Sequence, residues 1–474
     1  MQPPADRQGQ DAVIAFLSRP ASYGLPNDPV ERIETHCSIV FLVADRAYKM
    51  KRAIRYASLD YTTGEARRAA CEAELVLNRR TAPGLYLQVQ SINRDAEGAL
   101  AFDGPGPALD HVVVMRRFAQ ADLLDNMADR GALTRDLMRA LGQAIARLHA
   151  TAAPTPGFGG SAAMGRAIVD NERELARVAS ALDGVAVDAL GDRVRAALAA
   201  NAALLDRRRA EGKVRRGHGD LRLANICLHG GQPTLFDCIE FSDEIGCVDV
   251  LYDLAFLLMD LLLRDRGDLA NAAFNAYLDM APETDGLRAL PLFLALRTAT
   301  RSYAVAGSAE RRTNPREVAR LLAHARRHIN AGINFLSPET AHFVALGGDV
   351  AGRSDLAAAL AGLIPLVPGA RLLHLTSSDA PAWREAEGVL MAGHSVLAEA
   401  GFAHDAERQR AIHLASTHKV PFIGLWLGSL PAALDDRVWH AIDSSQGILT
   451  AVATAAVLLP EAAAARRALA PVSS

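Results

Sequence analysis

The stretch RGHGDLRLANICL, residues 216–228, sets an acid and an amide at a fixed interval: His218-Gly219-Asp220, four intervening residues, then Asn225. An aspartate so placed can accept the proton of an attacking hydroxyl, and an asparagine at the other end of the loop can hold a metal ion. Asp237 follows at the end of the apolar stretch PTLF and just before CIEF. A carboxylate there, on a short strand returning beside the loop, lets three polar groups converge on one cation. An Asp-Asn pair next to a turn is also a common way of satisfying a loop, so the additional acids Asp237, Asp249 and Asp253 separate the two readings. Taken alone, these residues indicate a metal-assisted transfer.

The same combination resembles the aminoglycoside phosphotransferase and choline kinase branch of the protein-kinase-like fold. There HGDxxxxN is followed by a metal-binding aspartate and a D-x-x-x-D-L-A segment, matched here by DVLYDLA. The resemblance implies Asp220 as catalytic base, Asn225 and Asp237 as ligands of Mg2+, Asp253 as a support for the loop, and ATP as the phosphoryl donor.

Upstream, Ser38 to Val43 is an apolar, β-branched run, Ala44 to Arg46 a polar turn, and Ala47 to Lys51 the alternating second arm of a hairpin. Lys49 and Lys51 therefore share one face of that arm. By resemblance one of them meets nucleotide phosphates and pairs with a glutamate of the next helix; the Y-K ending favours Lys49, with Lys51 as the alternative. The helix starts near Thr63 and runs through EARRAACEAELVLNRR without Gly or Pro. Glu72 and Glu74 are two residues apart and cannot share a face, so one at most meets the lysine; the resemblance favours Glu74. No GxGxxG precedes the hairpin, and Thr35 to Ser38 offers hydroxyl or backbone contacts in its place.

Residues 111–118, HVVVMRRF, read as a strand crossing between two lobes, where backbone around Met115 and Arg116 would meet an adenine edge and Met115 its face. Leu137, Leu141, Ile145 and Leu148 mark a buried stripe on a helix from Thr134 to His149, with His149 a capping or core residue. Residues 165–211 read as two amphipathic helices, and residues 250–335 as helical throughout. Glu240, Asp243 and Glu244 form an acidic cluster suited to a cationic acceptor or to an arginine of a neighbouring helix.

The 474 residues exceed one ordinary core, so two or three domains are expected. A composition 50% hydrophobic but only 5% aromatic favours Ala- and Leu-rich helical packing. The net charge of -3 gives no basic excess for a nucleic-acid partner. Cys37, Cys71, Cys227, Cys238 and Cys247 lack CxxC spacing and suit a reduced, cytoplasmic setting. The start MQPPADRQGQ does not read as a secretory signal, and LAFLLMDLLL and GILTAVATAAVLLP read as buried helices rather than membrane spans.

Texture changes at Leu336-Ser337-Pro338. The strand HFVAL leads into Gly347-x-x-x-x-Gly352, then Arg353, Ser354 and a helix, the layout of a phosphate-binding P-loop with arginine at the lysine position. SVLAEAGF, with Glu399 as its acid, reads as a second strand and VPFIGLWL as a third. The whole chain resembles a bacterial two-domain family, an aminoglycoside-phosphotransferase-like domain fused to a small P-loop ATPase or kinase-like domain. The expected fold is thus an α+β protein-kinase-like bilobal domain over 1–337 (small lobe about 25–115, large lobe about 116–337), then an α/β P-loop NTPase-like domain over 338–474, degenerate in its loop. Gly347, Gly352, Arg353 and Ser354 are its candidate phosphate contacts. The reading is an ATP-dependent phosphotransferase acting on a small-molecule hydroxyl, with no nucleic-acid or membrane partner; a nucleotide-binding scaffold and a protein serine/threonine kinase are the alternatives.

Overall fold

The apolar runs on either side of Ala44-Asp45 fold into a hairpin, β2 (Ser38–Val43) and β3 (Arg46–Lys51), with Val43 facing Arg46. Ala44 takes a left-handed φ of 46°, as tight connections between right-twisted strands require. In this computed structural model, which describes residues 7–56, 59–348, 351–376 and 380–459, the hairpin belongs to a six-stranded antiparallel sheet. The strand order is β1 (Glu31–Glu34), β2, β3, β8 (Ala108–Arg116), β6 (Tyr86–Arg94) and β7 (Leu100–Phe102).

The period of two decides which side chains meet which helix. Val112 and Val114 join Ile39, Phe41 and Met50 against Val13 and Leu17 of α1 (Arg7–Leu17). Val113 points the other way and packs with Tyr86 and Cys71 of α2 (Gly64–Asn78). The short strands β4 (Arg55–Tyr56) and β5 (Leu59–Asp60) precede α2, and the Thr63 hydroxyl caps it by accepting from the Ala66 amide at 3.2 Å.

By contact density the chain divides into two units, Met1–Ala132 with Arg216–Val248, and Leu133–Arg215 with Asp249–Ser474. The first unit adds α3 (Leu124–Asp129), the hairpin β10 (Ile226–His229) and β11 (Gln232–Leu235), and α7 (Asp243–Gly246). Gly230 and Gly231, at φ 59° and 75°, supply the two left-handed positions of that hairpin turn. The chain passes between units near β9 (Val214–Arg216) and β12 (Cys247–Asp249).

The second unit holds α4 (Arg135–Thr151), α5 (Gly160–Arg177), α6 (Gly184–Ala210), α8 (Val250–Leu263), α9 (Gly267–Met280), α10 (Leu290–Ala309) and α11 (Pro315–Phe335). On α4 the buried stripe starts at Met138; Leu137 is only half-buried, and His149 is buried at the helix end. A five-stranded parallel sheet follows, in the order β14 (Arg371–His374), β15 (Val396–Glu399), β13 (Phe343–Gly347), β16 (Phe422–Leu427), β17 (Trp439–Ile442). The connecting segments carry α12 (Arg353–Ala361), α13 (Ala380–Met391) and α14 (Asp405–Thr417), and α15 (Ile448–Val457) comes after β17.

Two of these strands escape the sequence reading. RLLH and WHAI carry Arg371, His374 and His440 and so do not stand out as apolar segments; SVLAEAGF is the third strand in chain order and VPFIGLWL the fourth. The sheet is stitched to α9 within the same unit: Asn271 and Asn275 donate to the Ala370 carbonyl at 3.0 and 3.2 Å, and Arg371 pairs with Asp279 at 2.6 Å.

Candidate active site

The catalytic-loop candidate is built on a glycine that cannot be replaced cheaply. Gly219 sits at φ 86°, and a Cβ there would meet Ile239 at 2.9 Å. The neighbouring His218 is buried, with Nε2 2.9 Å from the Phe236 carbonyl. Asp220 then projects outward with its side chain 25% exposed. Asn225 Nδ2 donates to Asp220 Oδ2 and to its carbonyl, both at 2.8 Å, leaving the amide oxygen as the donor atom Asn225 can turn to a cation. Arg222 adds two parallel contacts to the Asp220 carboxylate, at 2.7 and 2.9 Å.

Asp237 follows β11 in the left-handed region, φ 62°, with its side chain 42% exposed. Its amide donates to Tyr86 Oη at 3.1 Å, and the next amide, of Cys238, donates to Asn78 Oδ1 at 2.9 Å. The segment is thereby held by β6 and by α2. Lys49 Nζ bonds Glu74 Oε1 at 2.7 Å and also meets Asp237 Oδ1, while Lys51 lies 2.5 Å from Glu74 Oε2 and also meets Glu240. Both lysines of the shared face thus reach one glutamate. Glu72 lies on the open side of α2, 58% exposed beside Arg68.

These partners set the ionisation of the cluster. Burial opposes the charge on Lys49, but Asp237 and Glu74 outweigh it and hold the ammonium well above its ordinary range. Burial likewise opposes the charge on Glu74, and Lys49 and Lys51 together bring its carboxyl down to about 2. Tyr86, fully buried between Glu74 and Asp237, is pushed well up by desolvation and then by Glu74.

Lys49, Met115, Asp220, Asn225 and Asp237 all line one cavity of about 450 Å³ in the first unit. Its apolar part includes Val40, Ala47, Leu123 and Phe236, and Thr35 to Ser38 contribute to its lining where no glycine-rich loop exists. Arg116 lines it too, yet its amide donates to the Leu85 carbonyl at 2.8 Å and that of Arg117 to Asp45 at 2.8 Å. Of the backbone groups around Met115 and Arg116 that the strand reading offered to an adenine edge, the Arg116 amide is thus already bonded within the chain. Among the described residues no group of three or more His, Cys, Asp or Glu is placed to hold a metal. Asn225 and Asp237, one amide oxygen and one part-exposed carboxylate on a common cavity, are a donor set that suits a hard cation sharing its shell with phosphate.

Residues 67–290 match the model of the Phosphotransferase enzyme family. That stretch is similar to this family. Uncharacterized proteins of Mycobacterium tuberculosis and Mycobacterium bovis are 28% identical to the chain over 409 residues, which is 83% of this chain and 78% of each relative. Among solved structures, a choline/ethanolamine kinase family protein from Mesorhizobium loti matches with a TM-score of 0.40 and 17% identity, covering 69% of this chain and 99% of that one. An ethanolamine kinase from Plasmodium vivax matches with a TM-score of 0.42 and 11% identity, covering 69% and 94%.

Three residues that sequence reasoning passed over bear directly on the site. Arg222 had no signal beyond its place inside the motif, Tyr86 lies on a strand far from it, and Tyr61 donates to Glu240 Oε1 at 2.6 Å from across the sequence. The acidic cluster resolves differently from the expected helix arginine: Glu240 pairs with Lys51 on β3, and Asp243 with Arg216 on β9. In the second unit, Asp253 is buried and contacts His149 Nε2 at 3.1 Å, with Tyr277 Oη 3.0 Å from the other ring nitrogen.

The glycine loop after β13 has a different character. Asp349 and Val350 lie outside the described residues. Of those described, Gly347 leaves no room for a Cβ against Trp426, at 2.7 Å, and Gly352 precedes α12 at φ 90°. Arg353 Nε and Ser354 Oγ both donate to Glu399 Oε1, at 3.2 and 2.7 Å, and Arg353 also meets the Gly348 carbonyl. His374 Nδ1 lies 2.8 Å from Glu399 Oε2. Burial raises the Glu399 pKa, but His374, Ser354 and Arg353 bring it down to about 2.

Proposed function

We propose that the chain transfers the γ-phosphoryl group of ATP to a hydroxyl of a small molecule. The observation that carries this reading is Lys49 joining Glu74 to Asp237 on the cavity that Asp220 and Asn225 also line. The acceptor oxygen would form a bond to the γ-phosphorus as the bond to the ADP oxygen breaks, with Asp220 receiving the hydroxyl proton. Lys49, released from Asp237, would turn to the α- and β-phosphates. Asn225 Oδ1 and Asp237 would hold a divalent cation, Mg2+ in this reading, whose chemistry would be to neutralise phosphate charge. Met115, Val40 and Ala47 offer the base an apolar slot. Most of the catalytic effect would then come from positioning and charge stabilisation.

Residues 1–337 would form the transferase part and 338–474 an appended α/β part. The crevice beyond the carboxyl ends of parallel strands is where such sheets bind ligands, and Gly347 ends β13 while Arg353 and Ser354 begin α12. We read the Gly347–Ser354 stretch as a degenerate nucleotide loop, its arginine and serine bound to Glu399.

One observation favours a second reading. Arg222 and Asn225 between them contact both carboxylate oxygens of Asp220, so the carboxylate is engaged within the chain, as suits a nucleotide-binding scaffold that transfers nothing. Screening acceptors with γ-labelled ATP separates the readings: label on small molecules supports the first, no label despite MgATP binding supports the scaffold, and label on polypeptides indicates a protein kinase.

A further inference from the structure

The proposed reaction gives Lys51 no task, yet it is the more enclosed of the two lysines, its side chain 2% exposed against 10% for Lys49. Glu74 carries one ammonium on each oxygen: Lys49 on Oε1, Lys51 on Oε2. The outer partners of the two lysines differ. That of Lys49 is Asp237, 42% exposed on the cavity; that of Lys51 is Glu240, 5% exposed and further bound by Tyr61.

Lys51 is also fixed through its backbone. Gln10 donates to the Lys51 carbonyl at 2.8 Å and to Asp110 at 3.0 Å, and accepts from the Ala53 amide at 2.7 Å. Arg67 of α2 clasps the same Asp110 at 2.9 Å and donates to the Tyr61 carbonyl at 3.0 Å. Neither end of Lys51 is therefore arranged to move, whereas Lys49 has one partner on the open side. A buried carboxylate stripped of its counter-ion is strongly unfavourable. Once Lys49 turns from Asp237 to a phosphate, its ammonium is shared between that phosphate and Glu74, and a second cation that stays in place keeps Glu74 compensated.

We propose that Lys51 is the standing counter-ion of Glu74, a positioning residue that holds this carboxylate while Lys49 engages the nucleotide; the inference rests on Lys49 being the phosphate ligand. The test is calorimetric titration of the full-length protein with MgATP, with thermal melting of each variant alongside. Lys51→Gln should weaken MgATP affinity by roughly tenfold and Lys51→Arg should restore it to within about threefold, an effect of about 1.4 kcal/mol. A merely structural role would lower the melting temperature and leave affinity alone. Wild-type affinity in a folded Lys51→Gln protein overturns the inference while leaving the phosphotransferase reading intact. Absence of MgATP binding by the wild type overturns that reading and this inference with it. Should Lys51→Gln not fold, Glu240→Gln decides. It gives the whole ammonium to Glu74, so affinity should hold within about threefold, and a tenfold loss would show that Lys51 serves the Glu240 segment instead.

Discussion

Two carboxylates, Glu74 and Glu399, are each held by several donors, and each stands beside a candidate phosphate site, yet the surroundings differ. Around Glu74 the donors have other partners as well: Lys49 is shared with Asp237, whose side chain is 42% exposed on a large cavity. Around Glu399 the donors converge inward, with Arg353, Ser354 and His374 all on a side chain that is 3% exposed. The first arrangement can exchange partners when a polyanion and a cation arrive. The second spends on one internal acid the hydroxyl and guanidinium that a phosphate would need. A motif thus becomes a site only where its polar groups retain a partner they can give up.

The comparison is tested most severely at Asp220. Asp220→Asn should cut phosphoryl transfer by about a thousandfold, within the range for loss of a general base, while MgATP affinity stays within a few-fold. Single-turnover assays with labelled ATP measure the first and calorimetry the second. Unchanged turnover would remove Asp220 from the reaction and favour the scaffold. Asp237→Asn comes next. It should weaken Mg-dependent ATP binding by at least the roughly 10–100-fold that losing even an outer partner of a metal costs. Equal affinity with and without Mg2+ in the wild type would dissociate Asp237 from any metal.

What the sequence made legible follows from distance along the chain. HGDLRLAN lies within eight consecutive residues, so its spacing could be read directly, and a strand period of two sufficed to place Lys49 and Lys51 on one face. That both lysines would reach Glu74 was open to the same argument, since two ammonium groups on one face need more than one carboxylate oxygen. Glu240 and Tyr61 are a different case: nothing local says that residues so far apart will share a hydrogen bond. At Arg116 nothing in the local pattern says that its amide donates to the Leu85 carbonyl, a residue far away along the chain. In the parallel sheet, β14 and β17 carry Arg371, His374 and His440 within four residues each, so hydrophobic runs revealed β13, β15 and β16 alone.

Acid sharpens the contrast more gently. Glu74 and Glu399 both have pKa values lowered to about 2 in the folded chain, so each contributes stability that is fully present above the unfolded value near 4.5 and is lost as the pH falls towards 2. The melting temperature should decline across that window. Glu399→Gln should flatten part of the decline without altering MgATP affinity of the first unit, as followed by melting and titration at stepped pH. A Glu399→Gln protein that melts with the wild-type pH dependence would place the acid sensitivity elsewhere.

The smallest effect is expected at the glycine loop, and it must be measured in the full-length chain because Asn271, Asn275 and Asp279 of α9 hold β14 in place. An Asp220→Asn background silences the first site, so any remaining ATP hydrolysis belongs to the loop. Arg353 is planar, forked and already committed to Glu399 and Gly348, whereas lysine would present a compact ammonium able to follow a γ-phosphate. Restoring that one group still leaves the Ser354 hydroxyl, the other group offered to a cation, on Glu399, 2.7 Å away. Arg353→Lys in the Asp220→Asn background should therefore leave Mg-dependent hydrolysis at the background level, since both the ammonium and a metal ligand contribute to stabilising transition-state charge. Robust hydrolysis by the Asp220→Asn chain with Arg353 intact would show that the loop turns over despite its internal partners, and the distinction between shared and committed donors would fail at its clearest point.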